Sequence, residues 1–259
     1  MRKGLLLLFC AVLVLMTCTS EDDTHDYELQ RTETRTWPST GINQINAVTV
    51  NGEIVVSATT DTLITAIITR ACTGSDSVDA EEHIDDIEIT ESVAGGELTL
   101  EADMPDTSER DYRADFDFTA PADNYLDIIT VNGDVSLYDM AAGATVLITN
   151  GGITTENMHG SVEGTIANGP IHCDMEEFGA NESILLATTN GMVTLLLPAD
   201  VRAEFDASTT NGEITVSGFN TITYTINETN HKAGTLGVGS TNATIDITVV
   251  NGDIVIQAR

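Results

Sequence analysis

Hydrophobic and polar positions alternate along most of this chain, and the pattern predicts strands. AVTV at 47–50, EIVVSA at 53–58, LITAIITRA at 63–71, IEITESV at 87–93, ELTLEAD at 97–103 and DFDFTAP at 115–121 carry the signal. Side chains two residues apart share a face of a strand, so such segments bury one face. IEITESVAGGELTLE predicts a hairpin turning at 94–96. SVDAEEHIDD at 77–86 predicts one short acidic helical turn.

A second pattern is laid over the first. Asn-Gly occurs at Asn51–Gly52, Asn132–Gly133, Asn150–Gly151, Asn168–Gly169, Asn190–Gly191, Asn211–Gly212 and Asn251–Gly252. Chance pairing of the chain's residues predicts about one such pair. The steps are 81, 18, 18, 22, 21 and 40, close to multiples of 20. Three residues after each Asn stands Ile or Val: Ile54, Val135, Ile153, Ile171, Val193, Ile214 and Ile254. Five after come mostly apolar residues, Thr155 and Cys173 among them.

Asn-Gly is a strong hairpin signal, so a β-meander is the first alternative. A meander repeats every 8–12 residues, whereas this chain holds one turn phase at about 20. That period predicts an all-β, single-stranded parallel β-solenoid with coils of about 18–22 residues marked by the Asn-Gly turns. Strands in neighbouring coils then pair about 4.8 Å apart, the Asn residues stack, and Ile and Val form a dry column. Residues 37–120 read as a less regular β segment and 121–259 as the regular repeats, with a soft boundary near Pro121 and one continuous sheet system.

TVNGDVSL at 130–137, TTNGEITV at 209–216 and VVNGDIVI at 249–256 resemble the β-strand-repeat family of bacterial putative adhesins, a domain of unknown function. The chain is also similar to the GIN-domain autotransporter adhesin head group. PADNYLDIITVNGDV, LPADVRAEFDASTTNGEI and the closing GVGSTNATIDITVVNGDI extend the likeness over residues 37–259. The resemblance implies an all-β solenoid, exported or membrane-tethered, with no defined activity.

The first residues read as an address. Arg2 and Lys3 precede the apolar run 4–16, too short for a comfortable membrane span. The run ends in LMTC, which resembles a bacterial lipobox with Thr17 in place of the favoured Gly, Ala or Ser. Residues 1–17 are therefore expected as a signal peptide and Cys18 as the lipidated residue; an ordinary signal peptide is the alternative. TSEDD after Cys18 resembles a lipoprotein surface-export signal of Bacteroidota-like bacteria, or is simply a solvated tether. Residues 18–36 are expected to form an acidic linker. The expected location is the cell envelope of a bacterium, as an outer-membrane lipoprotein facing the periplasm or the outside.

Charge narrows the function. The chain of 259 residues has 10 basic against 41 acidic groups, a formal charge of −31. Such a chain is not expected to bind nucleic acid, whose affinity comes from basic groups releasing counterions. Nor is it held to an anionic membrane by charge, so the lipid anchor is the only membrane contact expected. Hydrophobic residues at 41% argue against disorder, and the only Trp, Trp37, lies at the start of the domain, which gives an aromatic sugar platform little support. The five His residues show no metal-ligand spacing, and neither a nucleophile elbow nor a phosphate loop is present. No metal or other cofactor is expected; calcium is the one ion that the acidic composition leaves open.

Glu81, Glu82, Asp85 and Asp86, then Glu176 and Glu177, then Asp115 and Asp117, are paired carboxylates of the kind a glycosidase needs. They are expected as solvated acidic faces, with no nearby His or Lys suggesting tuned acid–base work. Cys72 and Cys173 are expected as small buried hydrophobes, a disulfide being possible but not demanded. These readings predict a non-catalytic envelope lipoprotein with an adhesin-like surface-binding or structural role and an unknown glycan or protein ligand. The alternative is a carbohydrate-active β-helix enzyme or polysaccharide-binding protein.

Overall fold

The computed structural model describes residues 13–15, 27–106 and 110–259. Cys18, Met16 and Thr17 of the LMTC junction, and most of the leader lie outside the described residues. Two eleven-stranded sheets face one another across a single apolar layer. The repeating unit is a rung: a strand in the second sheet, an Asn-Gly turn, then a strand in the first sheet. Seven rungs follow this plan, at 44–59, 125–138, 144–158, 162–175, 183–197, 203–217 and 244–258.

Within each rung the two strands flanking Asn-Gly enter different sheets, so the turn is a corner and not a hairpin. Neighbouring rungs pair in parallel and in register: Asn150 stands beside Asn132 and Asn168, and Ile153 beside Val135 and Ile171. The residues three after each Asn are all buried, Ile54, Val135, Val193 and Ile254 completely. In the column five after, Thr155 and Cys173 are fully buried beside Val56, Leu137, Leu195 and Ile256. Val216, on the outermost rung, is half-buried. Removing water from such columns is the main force holding the rungs together, because no rung buries its inner face alone.

The sheets are mixed, which corrects the expectation of a purely parallel solenoid. At the N-terminal end, strand 63–74 runs antiparallel to strands 27–38 and 112–121. In the second sheet, strand 88–94 turns back on 97–103 through Gly95 and Gly96. At the C-terminal end, strands 222–227 and 231–236 cap strand 203–211 antiparallel. An open end of parallel strands exposes unpaired backbone groups. A hairpin covers them with a short connection, where another parallel strand needs a whole further rung.

Sequence order and stacking order also part at both ends. The rung at 44–59 lies between strands 97–121, an eighth rung without Asn-Gly, and rung 125–138. Rung 244–258 inserts between 183–197 and 203–217. An inner rung is covered on both sides, and 244–258 qualifies: Ile245, Ile247, Val249, Ile254 and Ile256 are all buried. Rung 203–217 instead meets the cap, where Tyr224 packs edge-on against Phe205 at 6.0 Å.

The predicted helical turn is present as helix Ser77–His83 followed by a 3-10 turn, with Asp76 accepting from the Val78 and Asp79 amides. Residues 27–36, expected within a linker, instead belong to strand Tyr27–Pro38. Its polar side chains carried no apolar period because this strand shows mixed, half-buried positions rather than one dry face. Residues 37–120 and 121–259 share both sheets, so no structural boundary falls at Pro121. Cys72 and Cys173 are buried free thiols. Burial in the dry column pushes the Cys173 thiol up to about 12. Among the described residues, no helix is long and apolar enough to cross a membrane.

Candidate functional site: the turn ladder and the acidic groove

The Asn side chains form one continuous ladder. Asn132 Nδ2 donates to Asn51 Oδ1 at 2.7 Å, Asn150 to Asn132 at 2.8 Å, Asn168 to Asn150 at 2.9 Å and Asn190 to Asn168 at 2.7 Å. Asn251 then donates to Asn190, and Asn211 to Asn251, each at 2.8 Å. Asn51 ends the run by donating to the Tyr112 carbonyl at 3.2 Å. Asn supplies both a donor and an acceptor, which lets identical residues bond one another indefinitely.

The glycines are required by close approach. A Cβ on Gly169 would sit 1.5 Å from the Gly151 carbonyl oxygen, and on Gly133 1.9 Å from that of Gly52. Gly151, Gly191, Gly212 and Gly252 meet the same obstacle from the neighbouring Gly, and Gly52 meets it from Ala114. Buried Thr hydroxyls donate to carbonyls of this column: Thr209 to Gly252 at 2.8 Å and Thr188 to Gly169 at 3.1 Å. Acids two after Asn also serve the stack, since Asp134 Oδ1 accepts from the Gly152 amide at 2.7 Å and Asp253 Oδ1 from Glu213 at 2.9 Å. These oxygens are engaged with the backbone rather than gathered into an ion cage. Among the described residues, no three His, Cys, Asp or Glu side chains are placed to hold a metal ion.

The acids read as candidate carboxylate pairs separate into different settings. Arg31 grips Glu81 at 2.7 Å and Asp85 at 2.6 Å, and Arg70 reaches Asp85 at 3.1 Å. Asp86 accepts from Tyr112 Oη at 3.0 Å and lies 2.8 Å from His83 Nδ1. Arg31 and His83 hold Asp85 and Asp86, respectively, below the usual carboxylate range. Glu82 lies exposed on the helix. Asp115 accepts from the Glu53 amide at 3.0 Å and from Arg113 at 3.1 Å. Burial raises Asp117. Both line a shallow recess of about 220 Å³ in the first sheet.

Glu176 and Glu177 lie elsewhere, on the rim of a groove of about 610 Å³ at the corner opposite the Asn ladder. Here the structure overturns one expectation: a His does stand beside these acids. His159 Nε2 is 3.4 Å from Glu176 and Nδ1 is 3.6 Å from Glu177. Phe178, Glu182, Asp200 and Arg202 also line the groove. The neighbours come from loops after two successive rungs, and His159 and Glu177 stand 18 residues apart, the rung step, which was the signal available in the sequence. Glu177 is 80% exposed, so water screens these charges strongly. The sequence also hid a second small ladder: Asn157 Nδ2 donates to Asp139 Oδ1 at 3.0 Å and Arg259 donates to Asn157 Oδ1 at 2.9 Å. Asp139 and Asn157 adopt positive φ, 59° and 54°. Their separation of 18 residues, the rung step, was the available signal.

A corner ladder of amides, a glycine column and a dry interior define a repeat-built β-sheet protein whose recurring residues serve stacking. Residues 36–257 match the Toastrack DUF4097 family, and the chain belongs to it. The match agrees with the resemblance carried by the Asn-Gly phrases. No curated protein matches the chain. Among solved structures, it is similar to a putative cell adhesion protein from Clostridium sporogenes, with 13% identity, 89% of this chain and all of that chain covered, and a TM-score of 0.48. It is also similar to a putative adhesin from Bacteroides fragilis, with 14% identity, coverage of 88% and 97%, and a TM-score of 0.39.

Proposed function

We propose that this protein is a non-catalytic envelope scaffold, an exported β-solenoid lipoprotein with an adhesin-like binding or structural role. One observation supports it above others: the most repeated residues are consumed by the stack. Asn bonds Asn, Gly clears its neighbour's carbonyl, and the acids at the corner bind backbone amides. Catalysis instead needs unlike groups converging around a reacting atom. The basic start, the apolar run and LMTC support export and lipidation at Cys18. Replacing Cys18 with Ala is expected to move the protein from the membrane fraction to the soluble one. A wild-type chain that incorporates no labelled palmitate refutes the anchor.

The binding role is tested by a glycan array, with and without calcium, using residues 24–259. Retention of a glycan without product formation supports it. The groove beside His159 favours a second reading, a carbohydrate-active protein, because a His and two carboxylates line one concavity. Polysaccharide turnover that Glu176→Gln abolishes while the fold persists would establish that reading and remove the first. Asp115 supplies the parallel test at the other carboxylate pair.

A further inference from the structure

We infer that the outer face of the second sheet carries a self-association strip, occupied by a second copy of this chain. It lies one and three residues before each ladder Asn. Two positions on each of seven rungs give fourteen outward side chains, and none of them is ionisable. All are Val, Ile, Leu, Ala, Ser or Thr in a chain of formal charge −31. Val50, Ile129, Val131, Leu147 and Val250 are 37–47% exposed there. The register aligns the strip across rungs: Val48 beside Ile129, Ile129 beside Leu147, Leu147 beside Thr165 and Thr165 beside Ala187. Charge bounds it at one end, where Glu101 pairs with Val48, and at the other, where His231 pairs with Ser208.

Charge distribution selects the occupant. A like-charged copy is repelled by nearly every other face of this acidic molecule, and least by an uncharged one. A two-fold axis along the stack sets each rung against its own counterpart. Apolar Ile129 and Leu147 then meet Ile129 and Leu147, and small Ala167 and Ala187 let the flat sheets approach to about 10 Å. The same axis lays the Asn ladder over the column five residues before it, which holds Asp127, Glu163, Asp206 and Asp246. Amide hydrogens not used along the ladder thus face carboxylates rather than carboxylates facing each other. Seven rungs about 4.8 Å apart and five residues of strand at about 3.3 Å give roughly 500 Å² per copy. The total of about 1,000 Å² is at the lower limit for a specific interface, so the dimer is weak.

Sedimentation of the full chain over a concentration series tests this. The dimer is expected to strengthen about tenfold between roughly 50 mM and 500 mM salt, because screening relieves like-charge repulsion. Leu147→Asp is expected to weaken it by at least about tenfold. Val93→Asp, at an exposed apolar site outside the strip, is expected to leave it unchanged. All three chains share residues 1–26, so association through that segment cancels in the comparison. Thr165→Cys is expected to form an intermolecular disulfide that the unsubstituted chain lacks, and Thr154→Cys, on the opposite sheet, is not. A monomer at every salt and concentration, or a dimer indifferent to Leu147→Asp, overturns the inference. A monomer whose retention on neutral glycans or phosphatidylcholine vesicles is lost in Leu147→Asp also overturns it and assigns the strip to that occupant.

Discussion

Between Tyr125 and Leu197 the chain climbs one rung at a time, whereas between Tyr27 and Pro121 it doubles back, inserts a rung out of order and adds a helix. The two regions are held by different chemistry. No Lys or Arg occurs from 114 to 201, and the middle rungs rely on amide ladders, glycine corners and an aliphatic column. The N-terminal region carries Arg31, Arg35, Arg70, Arg110 and Arg113, each paired with carboxylates across strands or onto the helix and its 3-10 turn. Repetition permits the first solution, since identical neighbours stack on one another. An irregular end has no identical neighbour and joins unlike segments with directed charge.

The sharpest way to break the middle is at its corner. Gly169→Ala places a Cβ 1.5 Å from the Gly151 carbonyl oxygen at φ +148°, and the atoms it meets are all backbone. Relief requires the rungs to separate, so a loss of about 3 kcal/mol or more is expected by denaturant unfolding. Gly95→Ala, in the N-terminal hairpin, meets open space. Its φ of 65° confines the cost to roughly 1 kcal/mol. Equal losses for the two would show that the corners are not packed as described.

Ile153→Ala comes next. The side chain is 1% exposed, between Val135 and Ile171 in the column, and its removal is expected to cost about 2–4 kcal/mol. A loss below about 0.5 kcal/mol would place Ile153 outside the core. Asn150→Ala removes two ladder bonds, to Asn132 and from Asn168, but on an exposed edge where water replaces them. About 1 kcal/mol is expected.

The middle region was legible in the sequence because each structural demand recurs at one phase. Asn, Gly and the Ile or Val three later mark the corner and the core together. The ends were less legible. Strand Tyr27–Pro38 carries charged and hydroxyl side chains that serve cross-strand pairs, and no apolar period announces it. The insertion of rung 244–258 was hidden because a 21-residue step from Asn190 to Asn211 looks like adjacency, while exchange of neighbours leaves the repeat unchanged. The groove was half visible: Glu176 and Glu177 were found as a pair, but His159 reaches them only through the stacking of loops from successive rungs.

The smallest expected effect separates the regions by pH. Arg110 holds Asp79 down to about 2 from its ordinary 3.8, with the Ser75 amide helping. Asp85 and Asp86 are also depressed, the first mainly by Arg31 and the second by His83 and Tyr112. A carboxylate with a lowered folded pKa contributes stability above its unfolded pKa and loses it as pH falls through the folded one. The contribution from Asp79 is therefore present at neutral pH, begins to fall near 3.8 and is lost toward 2. The Asn ladder of the middle rungs contains only amides, which do not titrate there. Hydrogen exchange is expected to show helix Ser77–His83 and strand 63–74 loosening between about pH 4 and 2, ahead of strands 144–150 and 162–168. Arg110→Met should remove much of that pH dependence from the helix while leaving the middle strands unchanged. Simultaneous loosening of both regions in the wild-type chain, or an unaltered helix profile in the variant, would mean that these ion pairs do not anchor the N-terminal end.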